Sequence, residues 1–223
     1  PHRMKKLGIL HMIHLSAKHR VIGVPYRPEF YNLFPDAKQV TVEGNSLVLL
    51  PHTDSITRYL RAAGIDAPAP ILAQYDWNNG TPFDIQKRTA AMLTVERRAY
   101  VLNGMGTGKT KASLWGWHYL YTNGHAGKLL VVAPLSTLNF TWAREVFQTL
   151  PGIKVQVLHG SRQKRLDRLA DMGADIYVIN HDGLAVVAAA LAARTDIDAC
   201  ILDELAVYRN GTATRTKVTR QVT

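Results

Sequence analysis

A glycine-rich run in the middle of this 223-residue sequence has residue types that can bind a chain of phosphates. It reads Asn-Gly-Met-Gly-Thr-Gly-Lys-Thr over residues 103–110, between a predicted strand and a predicted helix. Glycine at alternate positions lets the backbone turn with its N–H groups facing phosphate oxygens. The ammonium of Lys109 can bridge the β- and γ-phosphates, and the hydroxyl of Thr110 can hold Mg²⁺. The predicted phosphate-binding residues are Gly104, Gly106, Thr107, Gly108, Lys109 and Thr110. The competing interpretation is a glycine-rich turn followed by a chance lysine.

Two adjacent carboxylates, Asp203 and Glu204, follow an apolar run that is typical of a buried strand. Ligands of open α/β sheets bind beyond the carboxyl ends of the strands, so both side chains are expected at the binding edge. Asp203 suits Mg²⁺ binding, and Glu204 can orient and deprotonate an attacking water. Taken alone, such a pair is more often part of a solvated loop. Together with the phosphate loop it predicts a catalytic set of Lys109, Asp203 and Glu204.

A candidate base-reading residue, Gln86, lies eighteen residues before Gly104. Its amide can meet both the donor and the acceptor edge of adenine, and Phe83 can stack on the ring. The pair predicts selection of ATP over GTP. The alternative is an exposed glutamine near the start of a helix.

Strands that alternate with helices surround these motifs, as a parallel sheet with crossover helices requires. Each predicted strand is short, apolar and bounded by turn residues, which is typical of strands buried on both faces. The predicted strands are 99–102, 129–133, 155–158, 176–179 and 199–202. The predicted helices are 84–96, 109–121, 136–149, 161–172 and 184–194.

The preceding part of the chain has a different pattern and predicts a separate small, basic α+β domain. Turn-forming residues over 67–82 indicate a linker, so the expected domains are residues 1–75 and 76–223. The first domain is expected to contain a strand at 21–24, a helix at 28–34, a hairpin over 39–50 and a helix at 54–63. A further apolar stretch, 7–10, is read as a strand and not as a signal peptide.

Charge and composition favour a polyanionic partner. The formal net charge is +10, and a field of that sign attracts nucleic acid, although a generic basic surface has the same composition. No apolar run approaches the ~18 residues that span a bilayer, so no membrane partner is expected. The chain has a single cysteine, Cys200, and so no internal disulfide, which suits a reducing cytoplasm. Cys200 is expected to be an inert residue in a buried strand. The nine histidines have no metal-ligand spacing.

Residues 81–223 resemble the first RecA-like lobe of Swi/Snf-type ATPases of helicase superfamily two. In that family the phosphate loop reads Asp-Glu-Met-Gly-Leu-Gly-Lys-Thr, which this chain matches from Met105 on. Residues 132–138, with Trp142 and Glu145, are similar to the family's motif Ia. Residues 159–161 and 178–182 resemble its later DNA-facing segments, and 203–210 its Asp-Glu-Ala-His box. Residues 18–66 weakly resemble accessory domains that precede the motor in annealing and phage recombination helicases.

The resemblance implies an α/β, RecA-like P-loop fold that binds ATP and Mg²⁺ in a DNA-dependent ATPase, helicase or double-stranded DNA translocase. It also implies weakly sequence-specific contacts to DNA phosphates, and a cytoplasmic location, in the host if the protein is phage-encoded. Ala206 departs from the family, because it replaces the histidine that couples the ATP site to motif III. The second lobe with its arginine fingers is not expected within these residues, so the chain alone is expected to be inactive. The implied DNA contacts are Ser136, Thr137, Ser161, Asn180 and His181.

Two other functions remain open at this point. One is a catalytically silent nucleic-acid-binding module that keeps the P-loop fold, which Ala206 favours. The other is a different P-loop enzyme, such as a small-molecule kinase, which would need neither the Pro-Leu-Ser-Thr segment nor a glutamine before the first strand. The residues do not distinguish remodelling, annealing and unwinding.

Overall fold

The computed structural model describes residues 13–35, 37–77, 80–210 and 213–222. The chain forms two compact units: one runs to Asp76 and includes Lys87–Val101, and the other comprises Trp77–Gln86 and Leu102–Thr223. The expected division after residue 75 differs from this in one respect, because residues 87–101 group with the first unit. The predicted strand at 7–10 lies outside the described residues.

The first unit contains a four-stranded antiparallel sheet. Its strands are β1 (His14–Ser16), β2 (Val21–Pro25), β3 (Lys38–Val42) and β4 (Asn45–Pro51), in the order β1-β2-β4-β3. Glu43 and Gly44 form the turn between β3 and β4, with φ of 48° and 80°. Positive φ at both central residues matches the twist of the flanking strands, and this turn confirms the predicted hairpin.

Helices cover this sheet and complete the core of the first unit. They are α1 (Glu29–Leu33), α2 (Asp54–Ala62) and α3 (Ile71–Gln74), and α4 (Asp84–Val95) joins them after starting in the second unit. The hydroxyl of Thr53 caps α2 by accepting from the Ile56 N–H at 3.3 Å. A guanidinium nitrogen of Arg58 donates to the Val95 carbonyl at 3.0 Å, which fastens the end of α4 to this unit.

The second unit contains a parallel sheet flanked by helices, and this confirms the predicted α/β class. Its strands are β5 (Lys128–Ala133), β6 (Val155–Val157), β7 (Ile176–Asn180) and β8 (Ile197–Leu202), in the order β6-β7-β5-β8. Every residue of β7 is buried, and all but the first of β5, because both strands lie inside the sheet. Four of the five predicted strands are therefore present.

The helical elements of the second unit follow these strands closely. They are α5 (Lys109–Thr122), a segment from residue 135 to 149 that ends in α6 (Arg144–Thr149), α7 (Arg162–Ala170), α8 (His181–Ala192) and α9 (Thr214–Val222). The segment before α6 is a 3-10 turn, Leu135–Thr137, followed by a π-helical turn, Leu138–Ala143. A second 3-10 turn, Leu205–Tyr208, follows the carboxylates. No described helix is both long enough and apolar enough to cross a membrane.

The predicted strand at 99–102 is wrong. Within the described residues this segment pairs with no other strand, and Tyr100 and Leu102 are 75% and 89% exposed. A short apolar run does not reveal whether a partner strand is available, so periodicity alone overstated its burial. β8 lies at the edge of the sheet, and Cys200, which was expected in a buried strand, is exposed.

Candidate nucleotide site

The phosphate loop leads directly into the N-terminus of α5. Gly106 and Gly108 have φ of 72° and 74°, the left-handed conformation that glycine adopts without a steric penalty. Gly108 is the N-cap of α5, so the first N–H groups of the helix face the loop. A helix N-terminus of this kind attracts anions. The backbone of this loop is therefore compatible with the predicted phosphate cradle.

Lys109 folds back over this loop. Its ammonium donates to the carbonyls of Asn103 and Gly104 at 3.0 and 2.8 Å. The Thr107 hydroxyl donates to the same Gly104 carbonyl at 2.9 Å. These bonds hold the positive charge over the loop, where it can reach phosphate oxygens by exchanging carbonyl partners for them.

Gln86 is fastened to the phosphate loop, a relationship that its spacing in the sequence did not reveal. Its amide nitrogen donates to the Thr107 carbonyl at 3.3 Å, and its amide oxygen accepts from the Phe83 N–H at 3.0 Å. A Cβ added to Gly108 would overlap this amide nitrogen. Gln86 is 7% exposed, whereas Phe83 is 71% exposed. The structure thus brings the predicted base-reading residues, Gln86 and Phe83, to the predicted phosphate loop, and it leaves the aromatic ring exposed.

Asp203 is held by two donors at the end of β8. One carboxylate oxygen accepts from the Glu204 N–H at 3.0 Å, and the other from the indole N–H of Trp142 at 3.0 Å. Its own N–H donates to the Val132 carbonyl at 2.8 Å, which fixes the backbone to β5. The sequence predicted the role of this carboxylate but not its indole partner.

Glu204 is exposed and has a left-handed backbone, with φ of 54° and ψ of 61°. A non-glycine residue in this region is strained, and such strain concentrates at functional sites. The turn directs the chain away from β8 immediately after the two carboxylates. Glu204 is therefore accessible to water.

Thr110 and Asp203 carry oxygen donors of the kind that Mg²⁺ prefers. This cation prefers hard oxygen ligands and is usually held by one or two carboxylates together with substrate phosphates. Thr110 in the first turn of α5 supplies a hydroxyl, and Asp203 supplies a carboxylate of fixed orientation. The described residues contain no group of three or more His, Cys, Asp or Glu side chains that could hold a metal.

Three of the five expected DNA contacts lie on accessible loops. Ser136 is exposed, and Thr137 is half-buried, with its hydroxyl donating to the Pro134 carbonyl at 2.9 Å. Ser161 is exposed and caps α7 by accepting from the Lys164 N–H at 3.4 Å. These hydroxyls occupy the carboxyl side of the parallel strands.

The other two, Asn180 and His181, are not presented to solvent as expected. They are 8% and 7% exposed, because β7 runs directly into α8 at this junction. The Asn180 amide oxygen accepts from a guanidinium nitrogen of Arg165 at 2.9 Å. The His181 Nδ1 lies 2.7 Å from the Tyr208 hydroxyl. The resemblance implied that both residues contact DNA, whereas here their side chains bind neighbouring elements.

Burial lowers the pKa of His181 from its ordinary value of 6.5, and the positive charge of Arg215 lowers it further. The carboxylates of Asp203, Glu204 and Asp182 act in the opposite direction without reversing the shift. His181 is therefore a neutral hydrogen-bonding group at neutral pH. Its ring also packs edge-on against Tyr208, with centroids 5.3 Å apart.

The basic residues of α7 divide into structural and surface groups. Arg165 donates to the carbonyls of Leu158 and Gly160 at 2.7 and 2.9 Å, in addition to Asn180. Arg168 donates to two further carbonyls of the preceding loop, both at 2.9 Å. Arg162 and Lys164 are exposed. Arg168 is exposed as well, but its guanidinium is also bound to those carbonyls, so Arg162 and Lys164 are the side chains most available to a polyanion.

Comparison with known sequences gives one family match and several relatives. The sequence model of the SNF2-related domain matches residues 86–223. "Putative protein p41" of Acyrthosiphon pisum secondary endosymbiont phage 1 is 36% identical over 107 residues, which are 47% of this chain and 23% of that protein. "ATP-dependent DNA helicase DDM1" of Arabidopsis thaliana is 39% identical over 61 residues, 27% of this chain and 8% of that protein. The matched segments are thus less than a quarter of these relatives' lengths.

Two solved structures share the fold. The UvsW helicase of bacteriophage T4 aligns with a TM-score of 0.51 at 15% identity, over 94% of this chain and 86% of that one. The Sulfolobus solfataricus SWI2/SNF2 ATPase core, solved in complex with double-stranded DNA, aligns with a TM-score of 0.50 at 20% identity, over 65% and 30%. At these identities the likeness shows a RecA-like fold and no more. Because the SNF2-related sequence model itself spans more than half of the chain, including the phosphate loop and both carboxylates, the chain belongs to the SNF2-related family.

Proposed function

We propose that this chain is the ATP-binding lobe of a DNA-dependent ATPase of Swi/Snf type, acting as a helicase or as a double-stranded DNA translocase. The observation that carries the proposal is the contact between Gln86 and the phosphate loop at Thr107 and Gly108. It joins a group that can recognise adenine to a cradle that can bind phosphates. This contact with Gln86 would not be expected if the loop were a glycine-rich turn followed by a chance lysine.

The nucleotide-binding roles follow from the chemistry of each side chain. Lys109 would neutralise the β- and γ-phosphates, and Thr110 and Asp203 would hold Mg²⁺. The metal would supply charge stabilisation at the transferring phosphoryl group. Glu204, exposed and next to Asp203, would orient the attacking water and accept its proton.

Adenine recognition would use the hydrogen-bonding sites of the Gln86 amide that its contacts within the protein leave available. Its amide oxygen has a second lone pair and its nitrogen a second hydrogen, beyond the bonds to Phe83 and Thr107. Phe83 would stack on the base, since its ring is largely exposed. Guanine presents the opposite donor and acceptor pattern, so ATP would bind better than GTP.

DNA binding would be directed at phosphates and only weakly at sequence. Hydroxyl groups on accessible segments are supplied by Ser136, Thr137 and Ser161. Two exposed basic side chains, Arg162 and Lys164, lie next to Ser161. Hydroxyls and basic side chains that bind phosphates fix position without reading bases. The net charge of +10 adds long-range attraction. A phage-encoded protein of this kind would act in the host cytoplasm.

The chain by itself would hydrolyse ATP negligibly. An arginine finger contributes about 10³- to 10⁵-fold to the rate in related phosphoryl-transfer enzymes, and in this family it comes from a second lobe. Arg215, which follows Glu204 in the chain, forms an ion pair with Asp182 and is therefore not positioned as an arginine finger. Turnover would require a partner lobe that closes on the nucleotide.

The exposed Ala206 on the turn after the carboxylates favours a second candidate, a silent nucleic-acid-binding module. Nucleotide binding separates the two functions directly. Calorimetric binding of Mg·ATP to this chain supports the ATP-binding lobe. A chain that binds duplex DNA with strong salt dependence, but neither ATP nor ADP, would be the silent module instead.

A further inference from the structure

We propose that Trp142 is a positioning residue for the metal-binding carboxylate of Asp203. The proposal rests on the proposed function, because it assigns a role to the neighbour of a Mg²⁺ ligand. Its starting point is the bond from the indole nitrogen of Trp142 to a carboxylate oxygen of Asp203, 3.0 Å long. Trp142 is 2% exposed, so water cannot replace this donor without entering the core.

The two donors to Asp203 fix the plane of its carboxylate. The Glu204 N–H takes one oxygen and the indole N–H takes the other. Each oxygen keeps a further acceptor site, which is where a metal ion or one of its bound waters binds. An N–H that donates to an ionised carboxylate forms a charge-assisted bond, stronger than a bond between neutral groups. The carboxylate is thus already oriented before a cation arrives.

The segment that carries Trp142 has an unusual backbone. Residues Leu138–Ala143 form a π-helical turn between a 3-10 turn and α6. A π turn contains about one residue more than an α-helical turn, so it rotates the side chains before it relative to those after it, and such turns are frequent at functional sites. The irregularity coincides with the indole that reaches Asp203.

The same segment is also bound to the helix that follows the phosphate loop. Glu145, in the first turn of α6, pairs with Lys111 of α5 at 3.5 Å. Thr110 immediately precedes Lys111 on α5. One helical segment therefore contacts both elements that carry the proposed Mg²⁺ ligands, α5 with Thr110 and the end of β8 with Asp203.

The test compares two buried tryptophans whose indoles each donate one hydrogen bond. Trp117 is also buried, and its indole donates to the Gly127 carbonyl at 3.0 Å, away from the carboxylates. Trp142→Phe and Trp117→Phe each remove one buried indole N–H and leave an acceptor behind. Calorimetry would measure the Mg²⁺ concentration at which each variant reaches half of its full ATP affinity, with ATP in EDTA as the metal-free reference.

The expected result is that Trp142→Phe requires about 10- to 100-fold more Mg²⁺, the usual effect of losing a partner of a metal ligand. Trp117→Phe should require the wild-type concentration, and metal-free ATP binding should be the same in all three proteins. Equal Mg²⁺ requirements in Trp142→Phe and wild type would overturn the inference alone. A wild-type chain that binds no Mg·ATP would overturn the proposed function as well.

A spectroscopic measurement keeps the inference testable if Trp142→Phe does not fold. The chain has four tryptophans, so its ¹⁵N–¹H spectrum contains four indole signals in the folded protein. Asp203→Asn replaces the ionised acceptor by a neutral one, and it should move the Trp142 signal upfield while the Trp117 signal stays in place. An unchanged Trp142 signal would show that the indole does not bind this carboxylate in solution.

Discussion

The side chain of Gln86 occupies the space that a Cβ at Gly108 would need. All three atoms that such a Cβ would meet belong to Gln86, and its amide nitrogen would overlap it. At Gly106, by contrast, nothing lies within 4 Å of a built Cβ. The two glycines have nearly equal φ, so they separate the effect of backbone strain from the effect of displacing Gln86.

The first prediction uses this pair. Gly106→Ala should lower the free energy of unfolding by about 1–2 kcal/mol, the penalty of a left-handed non-glycine residue. Gly108→Ala should have the same strain and should also break the bond from Gln86 to Thr107, so it should lose more stability and more ATP affinity. Chemical unfolding and calorimetry would measure both quantities. Indistinguishable variants would show that Gln86 does not contact the loop in solution.

Adenine selectivity supplies the second prediction. Gln86→Ala should bring the ratio of ATP to GTP affinity close to one, because it removes the amide that would read the base edge. Gln163→Ala is the matched control, since Gln163 is exposed and donates only to Asp167 within α7. A ratio that Gln86→Ala leaves at the wild-type value would remove this role from Gln86.

The third prediction concerns pH. Burial lowers the pKa of His181. As the pH falls through about 6.5, the unfolded chain therefore binds a proton at this histidine while the folded chain does not, and this difference destabilises the folded state. This contribution to stability is fully present above the ordinary pKa of 6.5 and is lost as the pH falls below it. The pKa of His52 and of His118 is lowered as well, mainly by burial, so the whole chain should be less stable in acid.

His181→Gln should therefore reduce the difference in unfolding free energy between about pH 7.5 and about pH 5.5. Urea unfolding at both pH values measures the difference. A wild-type chain that is more stable at the lower pH would contradict the sign.

The fourth prediction separates the arginines of α7. Arg162→Ala should weaken duplex DNA binding and reduce the slope of log affinity against log salt by about one, without a change in stability. Arg165→Ala should instead destabilise the fold by about 1–3 kcal/mol, because it leaves buried carbonyl and amide acceptors without their donor. Salt titrations of DNA binding and unfolding curves check the two effects. If Arg165→Ala instead weakened DNA binding without lowering stability, Arg165 would bind DNA in solution and not the carbonyl and amide groups of the fold.

How far the sequence predicted this structure depended on whether a signal was local. The strands β5 to β8 and the loop at 103–110 follow from apolar runs and from glycine spacing, which are local properties. The bond between Trp142 and Asp203 joins residues 61 positions apart. No periodicity encodes such a contact. It depends on the parallel pairing of β5 with β8 and on the π turn.

Polar residues were the least predictable part of the site. Asn180 and His181 were expected to face DNA, yet tertiary contacts with Arg165 and Tyr208 bury them. The segment at 99–102 was expected to be buried, yet Tyr100 and Leu102 are exposed. In each case the residue type indicates only what a side chain can do. Its neighbours from distant parts of the chain decide whether it binds a ligand or supports the fold.

The central claim is that the loop around Lys109 binds the phosphates of Mg·ATP. Calorimetric titration of wild type, Lys109→Ala and Lys154→Ala with Mg·ATP tests this claim most directly. Lys154 is an exposed lysine next to β6, so Lys154→Ala removes the same charge as Lys109→Ala without changing the loop. The account predicts that wild type and Lys154→Ala bind Mg·ATP equally and that Lys109→Ala binds none. Equal affinity in all three proteins would contradict it.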